Sequence, residues 1–266
     1  MTLNPTIYNA CKARQVLKVI LGLSNFNLQS IVPIIKAADV AGATYIDIAA
    51  NVSLLKEIRN LSNLPICVSS IDIDELISCH HFGADILEIG NFDIFYSKGF
   101  NFSAEQVLNM TDKLLIKVPN ASVSVTIPHK LSMQSQIELA QALERMGIDM
   151  IQTEGISSQQ DYSNSLFHSI DHASASLSST AILSKCVTLP IITSSGINSI
   201  TAPIAVSYGA SGIGVGSFFK KTRNINNLIC HIDAIMYSLR TNYLAKKQLD
   251  YIELQHAYYD CIISYC

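Results

Sequence analysis

Three carboxylates, a lysine and a histidine are the residues of this chain best placed to do chemistry: Asp47, Glu88, Glu154, Lys18 and His129. Each lies in or just after a short apolar run. Asp47, Glu88 and Glu154 can act as general bases or hold a substrate hydroxyl or amine, with His129 assisting a proton transfer. They can equally be paired inside the protein, and an inward Lys18 is the partner that would neutralise Asp47 or Glu88. Two glycine-rich segments add a second kind of chemistry: Thr193-Ser194-Ser195-Gly196-Ile197-Asn198 and Gly212-Ile213-Gly214-Val215-Gly216-Ser217-Phe218. Glycines let backbone N–H groups approach an anion closely. One such turn often only satisfies backbone geometry, but two together point to phosphate. The phosphate-binding candidates are Gly196, Ile197, Gly214, Gly216 and Ser217. Lys18, Asn25, Asn91, Gln152 and Ser195 complete the set facing a substrate.

Metal chemistry has no comparable signal, because the histidines, cysteines and carboxylates show no HxH, HExxH or CxxC spacing. No metal is expected, and the seven cysteines read as free thiols. The tandem His80-His81 falls at a helix end, away from the other candidates.

These residues need a scaffold that gathers chain-distant positions at one place. Short β-type runs alternate with stretches of helical period, the pattern of parallel βαβ units. Strands are expected at Leu17–Leu21, Tyr45–Ala49, Ile66–Ser69, Ile86–Ile89, Val123–Ile127, Met150–Thr153, Ile191–Thr193 and Gly212–Val215. The helices between them keep apolar residues three and four apart, as in Ile31, Ile34, Ile35 and Ala38. Glycines at 42, 83, 147 and 209 close helices before the next strand. Ser103 with Gln106 forms a capping box. Eight units in 266 residues predict an α/β fold, a single (β/α)8 TIM barrel over 1–239 with a C-terminal helical extension over 240–266. A doubly wound open sheet is the rival, but it would place its glycine-rich loop after the first strand rather than after the last two. In a barrel all the candidates fall at the C-terminal ends of strands or just inside them. The polar loop after the sixth strand, Gly155 to Ser165, could close over a ligand or be a solvated connection.

A net charge of −3 with a pI near 6.1 leaves no basic field for nucleic acid, and the apolar runs are too short to span a membrane. Hydrophobic residues make up 49% of the chain and charged ones 15%, with a mean hydropathy of +0.30, so much of the surface must be buried in a core or a subunit contact. The Tyr-rich segment 240–266 is a candidate homo-oligomer contact, or a helix packed on the barrel's own flank. Residues Met1–Arg14 have neither a secretory h-region nor transit-peptide composition, so the protein is expected to be used where it is made.

LKVILGLSNF, TYIDIAAN, PICVSS, DILEIGNFD, SVTIPH, IQTEGISSQ, TSSGINSITAP and GASGIGVGS occur in this order. Together they resemble the Ycf family numbered twenty-three, of algal plastid genomes and cyanobacteria, from Leu17 to about Leu239. The resemblance implies a plastid address, the stroma, and brings no activity with it. More distantly, the TSSGI and GIGVGS loops look like those of aldolase-type barrels that bind phosphate esters or FMN. Schiff-base aldolases carry a lysine where this chain has Gln152, and an amide cannot form the imine. Three readings follow: metal-independent lyase or isomerase chemistry on a small phosphorylated metabolite, an FMN-binding oxidoreductase, or a non-catalytic barrel that senses such a metabolite.

Overall fold

The computed structural model describes residues 3–22, 25–90, 92–96, 98–155, 166–216, 219 and 224–240. Eight strands alternate with helices: α1 (Pro5–Ala13), β1 (Val16–Gly22), α2 (Leu28–Val40), β2 (Tyr45–Ala49), α3 (Val52–Arg59), β3 (Ile66–Ser70), α4 (Ile73–His81) and β4 (Ile86–Ile89). There follow α5 (Asp93–Tyr96), α6 (Ala104–Lys117), β5 (Val123–Ile127), α7 (Met133–Met146), β6 (Met150–Thr153), α8 (Leu166–Leu183), β7 (Ile191–Ser194), α9 (Ala202–Ser207) and β8 (Gly212–Val215). A further helix occupies 225–240. The expected extension lies outside the described residues apart from Arg240, as does 156–165 of the loop after β6.

Every strand pairs in parallel with its sequence neighbours, and β8 returns to β1, closing the sheet into a barrel. The helices start where side chains can satisfy their first N–H groups. Asn51 accepts from the amide of Leu54, Asp72 from those of Asp74 and Glu75, and Ser103 and Gln106 form the reciprocal box expected from sequence. Gly147 ends α7 at φ 85°, a left-handed cap that a side chain would strain.

Closure separates two apolar cores. The larger lies between the outer faces of the strands and the helices, where Ile31, Ile35, Leu55, Leu76, Leu114, Leu143 and Leu177 are packed. The smaller fills the lower barrel: Val16, Tyr45, Cys67, Ile86, Met150 and Ile192, one from each of six strands, meet Leu3, Ile7 and Cys11. Helix α1, started by Asn4 and Pro5, is thus a plug under the barrel, an element the βαβ pattern did not reveal. Burial pushes the Cys11 thiol up to about 12, so it stays protonated and behaves as a small apolar group. Ile7 is fully buried in this plug, and Ile7→Ala should cost about 2–5 kcal/mol of stability through lost contacts and a cavity. Urea denaturation would check this, and a loss near zero would show that α1 does not seal the barrel.

Candidate functional site

Above the apolar plug the barrel interior becomes ionic. Lys18 of β1 places its Nζ 2.7 Å from Glu88 Oε1 and 2.8 Å from Gln152 Oε1, hydrogen bonds that cross the barrel to β4 and β6. Asp47 Oδ2 on β2 lies 3.0 Å from the same ammonium. This contact is an ion pair out of hydrogen-bond alignment, since Oδ2 has no hydrogen-bond partner. Glu88 also accepts from Ser124 Oγ at 2.9 Å and Gln152 Nε2 at 3.1 Å, and Gln152 Nε2 reaches Thr126 Oγ1 at 3.2 Å. Ser69 Oγ donates to Asp47 Oδ1. Lys18, Asp47, Glu88 and Gln152 are all at most 2% exposed.

Burial works against the Lys18 ammonium, but the Asp47 and Glu88 carboxylates outweigh it and hold its pKa above the ordinary value. For Glu88, burial is the larger effect and the charge of Asp47 adds to it, so its pKa is raised despite the lysine. With two carboxylates around one ammonium, the cluster carries an excess negative charge unless Glu88 takes up a proton. Lys18 and its partners are sealed from solvent, which fits the expected pairing of Lys18 with Asp47 and Glu88.

Glu154 is in a different position. It follows β6 at the open end of the barrel, and its Oε1 accepts from Tyr96 Oη at 2.7 Å and from both the backbone N and Nδ1 of His129 at 3.1 Å. The Tyr96 ring stands edge-on to the imidazole, with centroids 4.9 Å apart at 90°. Lys130 Nζ sits 4.5 Å over the Tyr96 ring and donates to Asn101. A carboxylate oxygen opposite Nδ1 assigns the proton of neutral His129 to that nitrogen and leaves Nε2 with the lone pair. Sequence reasoning found His129 and Glu154 but missed Tyr96, whose only signal is the aromatic run after the fourth strand.

The two glycine segments come together because β7 and β8 are neighbours. Ser195 and Gly196 both adopt left-handed backbone, at φ 70° and 74°. Among the described residues, the amides of Gly196, Ile197 and Gly216 find no acceptor. Ser194 Oγ is buried without a hydrogen-bond partner and lies over Gly214, where a side chain would overlap it. A Cβ at Gly196 would strike the His172 carbonyl, so this glycine also serves packing on α8. Asn25 is used locally, its Oδ1 accepting from Asn27 N and Ser30 Oγ in the turn into α2. Asn91 and Ser217 lie outside the described residues. Among the described residues no group of three or more His, Cys, Asp and Glu could hold a metal ion, and no helix is long and apolar enough to cross a membrane.

A closed barrel of eight parallel strands with alternating helices is a TIM barrel. The family profile described as protein of unknown function (DUF561) matches residues 3–245. The chain is 39% identical to the uncharacterized protein ycf23 of Pyropia yezoensis, covering 98% of this chain and 97% of that one. It is 41% identical to the ycf23 protein of Antithamnion sp., over 88% of each. The chain therefore belongs to the ycf23 family. Solved structures of like fold include (S)-3-O-geranylgeranylglyceryl phosphate synthase from Thermoplasma acidophilum in complex with its substrate sn-glycerol-1-phosphate. That structure has a TM-score of 0.61 and 13% identity, over 88% of this chain and 98% of that one. Thiamine phosphate pyrophosphorylase from Pyrococcus furiosus is similar with a TM-score of 0.56 and 16% identity, over 87% and 98%.

Two outcomes follow from the ionic cluster. Lys18→Met should cost about 3–5 kcal/mol, because it leaves two buried carboxylates uncompensated. Adding Asp47→Asn and Glu88→Gln should recover much of the loss, and equal instability of single and triple variants in urea melts would contradict the charge argument. For Glu88 the folded protein binds more protons than the unfolded chain between the ordinary pKa of 4.5 and the raised folded value. Its contribution is therefore complete below 4.5 and lost as pH rises through the folded value. Glu88→Gln should remove that decline, so the variant gains on the wild type as pH climbs above 4.5; parallel stability curves would refute the assignment.

Proposed function

We propose that this protein binds a small phosphorylated metabolite at the open end of the barrel and moves a proton on it with His129, in lyase or isomerase chemistry. The observation that carries this reading is the convergence of His129 Nδ1, His129 N and Tyr96 Oη on one oxygen of Glu154. A carboxylate that fixes the tautomer and orientation of an imidazole leaves Nε2 as a positioned base. Glu154 is 4% exposed and the His129 side chain 13%, so the dyad is largely screened from water yet stands at the mouth. One layer below, Glu88 is hydrogen-bonded through both oxygens and Asp47 is ion-paired with Lys18, so these two serve better as the charged floor than as proton acceptors.

The phosphate half of the reading rests on the amides of Gly196, Ile197 and Gly216 and on the unpartnered Ser194 hydroxyl, at the ends of adjacent strands. Among the described residues these donors have no acceptor, the arrangement that an anion completes. The glycerol phosphate bound by one fold neighbour and the thiamine phosphate in the name of another agree with it. Family membership supports a plastid address, with the stroma as the compartment.

A thermal-shift screen against phosphorylated sugars, phosphorylated intermediates of cofactor synthesis and FMN tests the binding half. A true ligand at a hundred times its Kd should add about 2.7 kcal/mol. The shift should disappear in Gly216→Asp, which crowds Ile20 of β1 and adds a negative charge next to the cup. A response to FMN alone would replace the metabolite by a flavin. Proton transfer is read from deuterium uptake by the bound compound in heavy water, followed by NMR. His129→Gln should slow uptake about a hundredfold or more while keeping the thermal shift. Binding without uptake in the wild type would leave a sensing barrel in place of an enzyme.

A further inference from the structure

Helix α8 meets β6 and β7 through hydroxyls as well as through hydrocarbon. Thr180 Oγ1 lies 2.7 Å from Thr193 Oγ1 of β7 and 3.0 Å from Thr153 Oγ1 of β6, and donates to the Ser176 carbonyl at 2.8 Å. Ser176 itself is fully buried, and its Oγ, already within reach of the Ala173 carbonyl, donates to the carbonyl of Ser195 at 2.9 Å. Ser195 is in the left-handed region at φ 70°, one of two non-glycine residues with positive φ among those described. A residue with a Cβ stays there only when its surroundings hold it.

We propose that Ser176 is a positioning residue that presents the β7 half of the cup to its anion. The inference rests on the phosphate reading above. A trans peptide points its C=O and N–H in opposite directions. Pulling the Ser195 carbonyl back onto α8 therefore turns the Gly196 N–H away from the helix and towards the barrel mouth. The helix cannot slide to relieve the turn, because the hydroxyl chain fixes it against two strands. The turn is confined as well: Gly196 abuts the His172 carbonyl, and an ideal Cβ at Gly155 would lie 3.4 Å from Ser176 N and 3.6 Å from Ser195 Cβ.

The test is a cycle of Ser176→Ala and Ser195→Gly, since glycine adopts the left-handed conformation without help. Binding of inorganic phosphate is measured by calorimetry, and melting temperature without ligand is measured on the same four proteins. S176A should weaken phosphate on the order of tenfold, the effect of about one hydrogen bond. S176A/S195G should recover most of that affinity, which a residue that merely packs α8 would not allow. The drop in Tm caused by S176A should also be smaller in the S195G background. Unchanged phosphate affinity in S176A, or a double variant as weak as S176A, overturns the proposal. If the wild type binds no phosphate, the phosphate reading fails and the presenting role fails with it. The melting cycle then still separates a Ser176 that holds the turn from one that does not, because equal Tm losses in both backgrounds refute the hold itself.

Discussion

An ammonium group sealed in the middle of the barrel must answer two carboxylates at once, and much of the interior is arranged around that demand. Lys18 reaches across to β2, β4 and β6, so three strands are tied to β1 through its interior face as well as through the ladder. Its partners need partners in turn, which accounts for Ser69, Ser124 and Thr126 at inward positions where a purely apolar barrel would carry branched hydrocarbon. Buried ion pairs of this kind contribute little net stability over well-packed hydrocarbon, because desolvation offsets the attraction. What they supply is selectivity for one arrangement: a slip of one residue in β1, β2 or β4 would turn a charge outward into the helix layer, and one in β6 would turn out the Gln152 amide.

The interior is thereby divided along its axis. At the bottom α1 and six strand residues exclude water by ordinary apolar packing. The charged layer follows, and Glu154 with His129 lies above it at the rim. The lower two layers raise the effective field near the rim, since a low-dielectric plug beneath an ionic layer leaves the charges weakly screened.

On the flank between β6 and β7 the packing changes character. Serines and threonines of α8 let helix and strands approach closely and give each hydroxyl a partner. The barrels of like fold share 13% and 16% identity with this chain, so what they share is the strand order. The polar seam, the ionic centre and the Glu154–His129–Tyr96 group are read from this chain itself.

The strand and helix order was legible in the sequence because burial imposes a period on every strand and helix, and because glycine, proline and capping residues mark the ends. The expected strands agree with those of the structure to within one residue at either end, and the expected barrel closes as one. Candidate polar residues were legible too, since Lys18, Asp47, Glu88 and Glu154 interrupt apolar runs where only a partner or a function justifies a charge. Helix α1 escaped because a plug carries its apolar residues against the barrel end and not within a βαβ unit. Tyr96, Ser176 and Ser194 escaped because a hydroxyl in a one-turn helix, a long helix or a strand end has no period to betray it. The sequence by itself determined which residues must be buried, and with that the barrel and the family. Only the tertiary structure decided which carboxylate meets the lysine and which meets the histidine, because that depends on how far each strand's residues stand along the barrel axis, a distance set by the stagger of closed strands and carried by no local pattern.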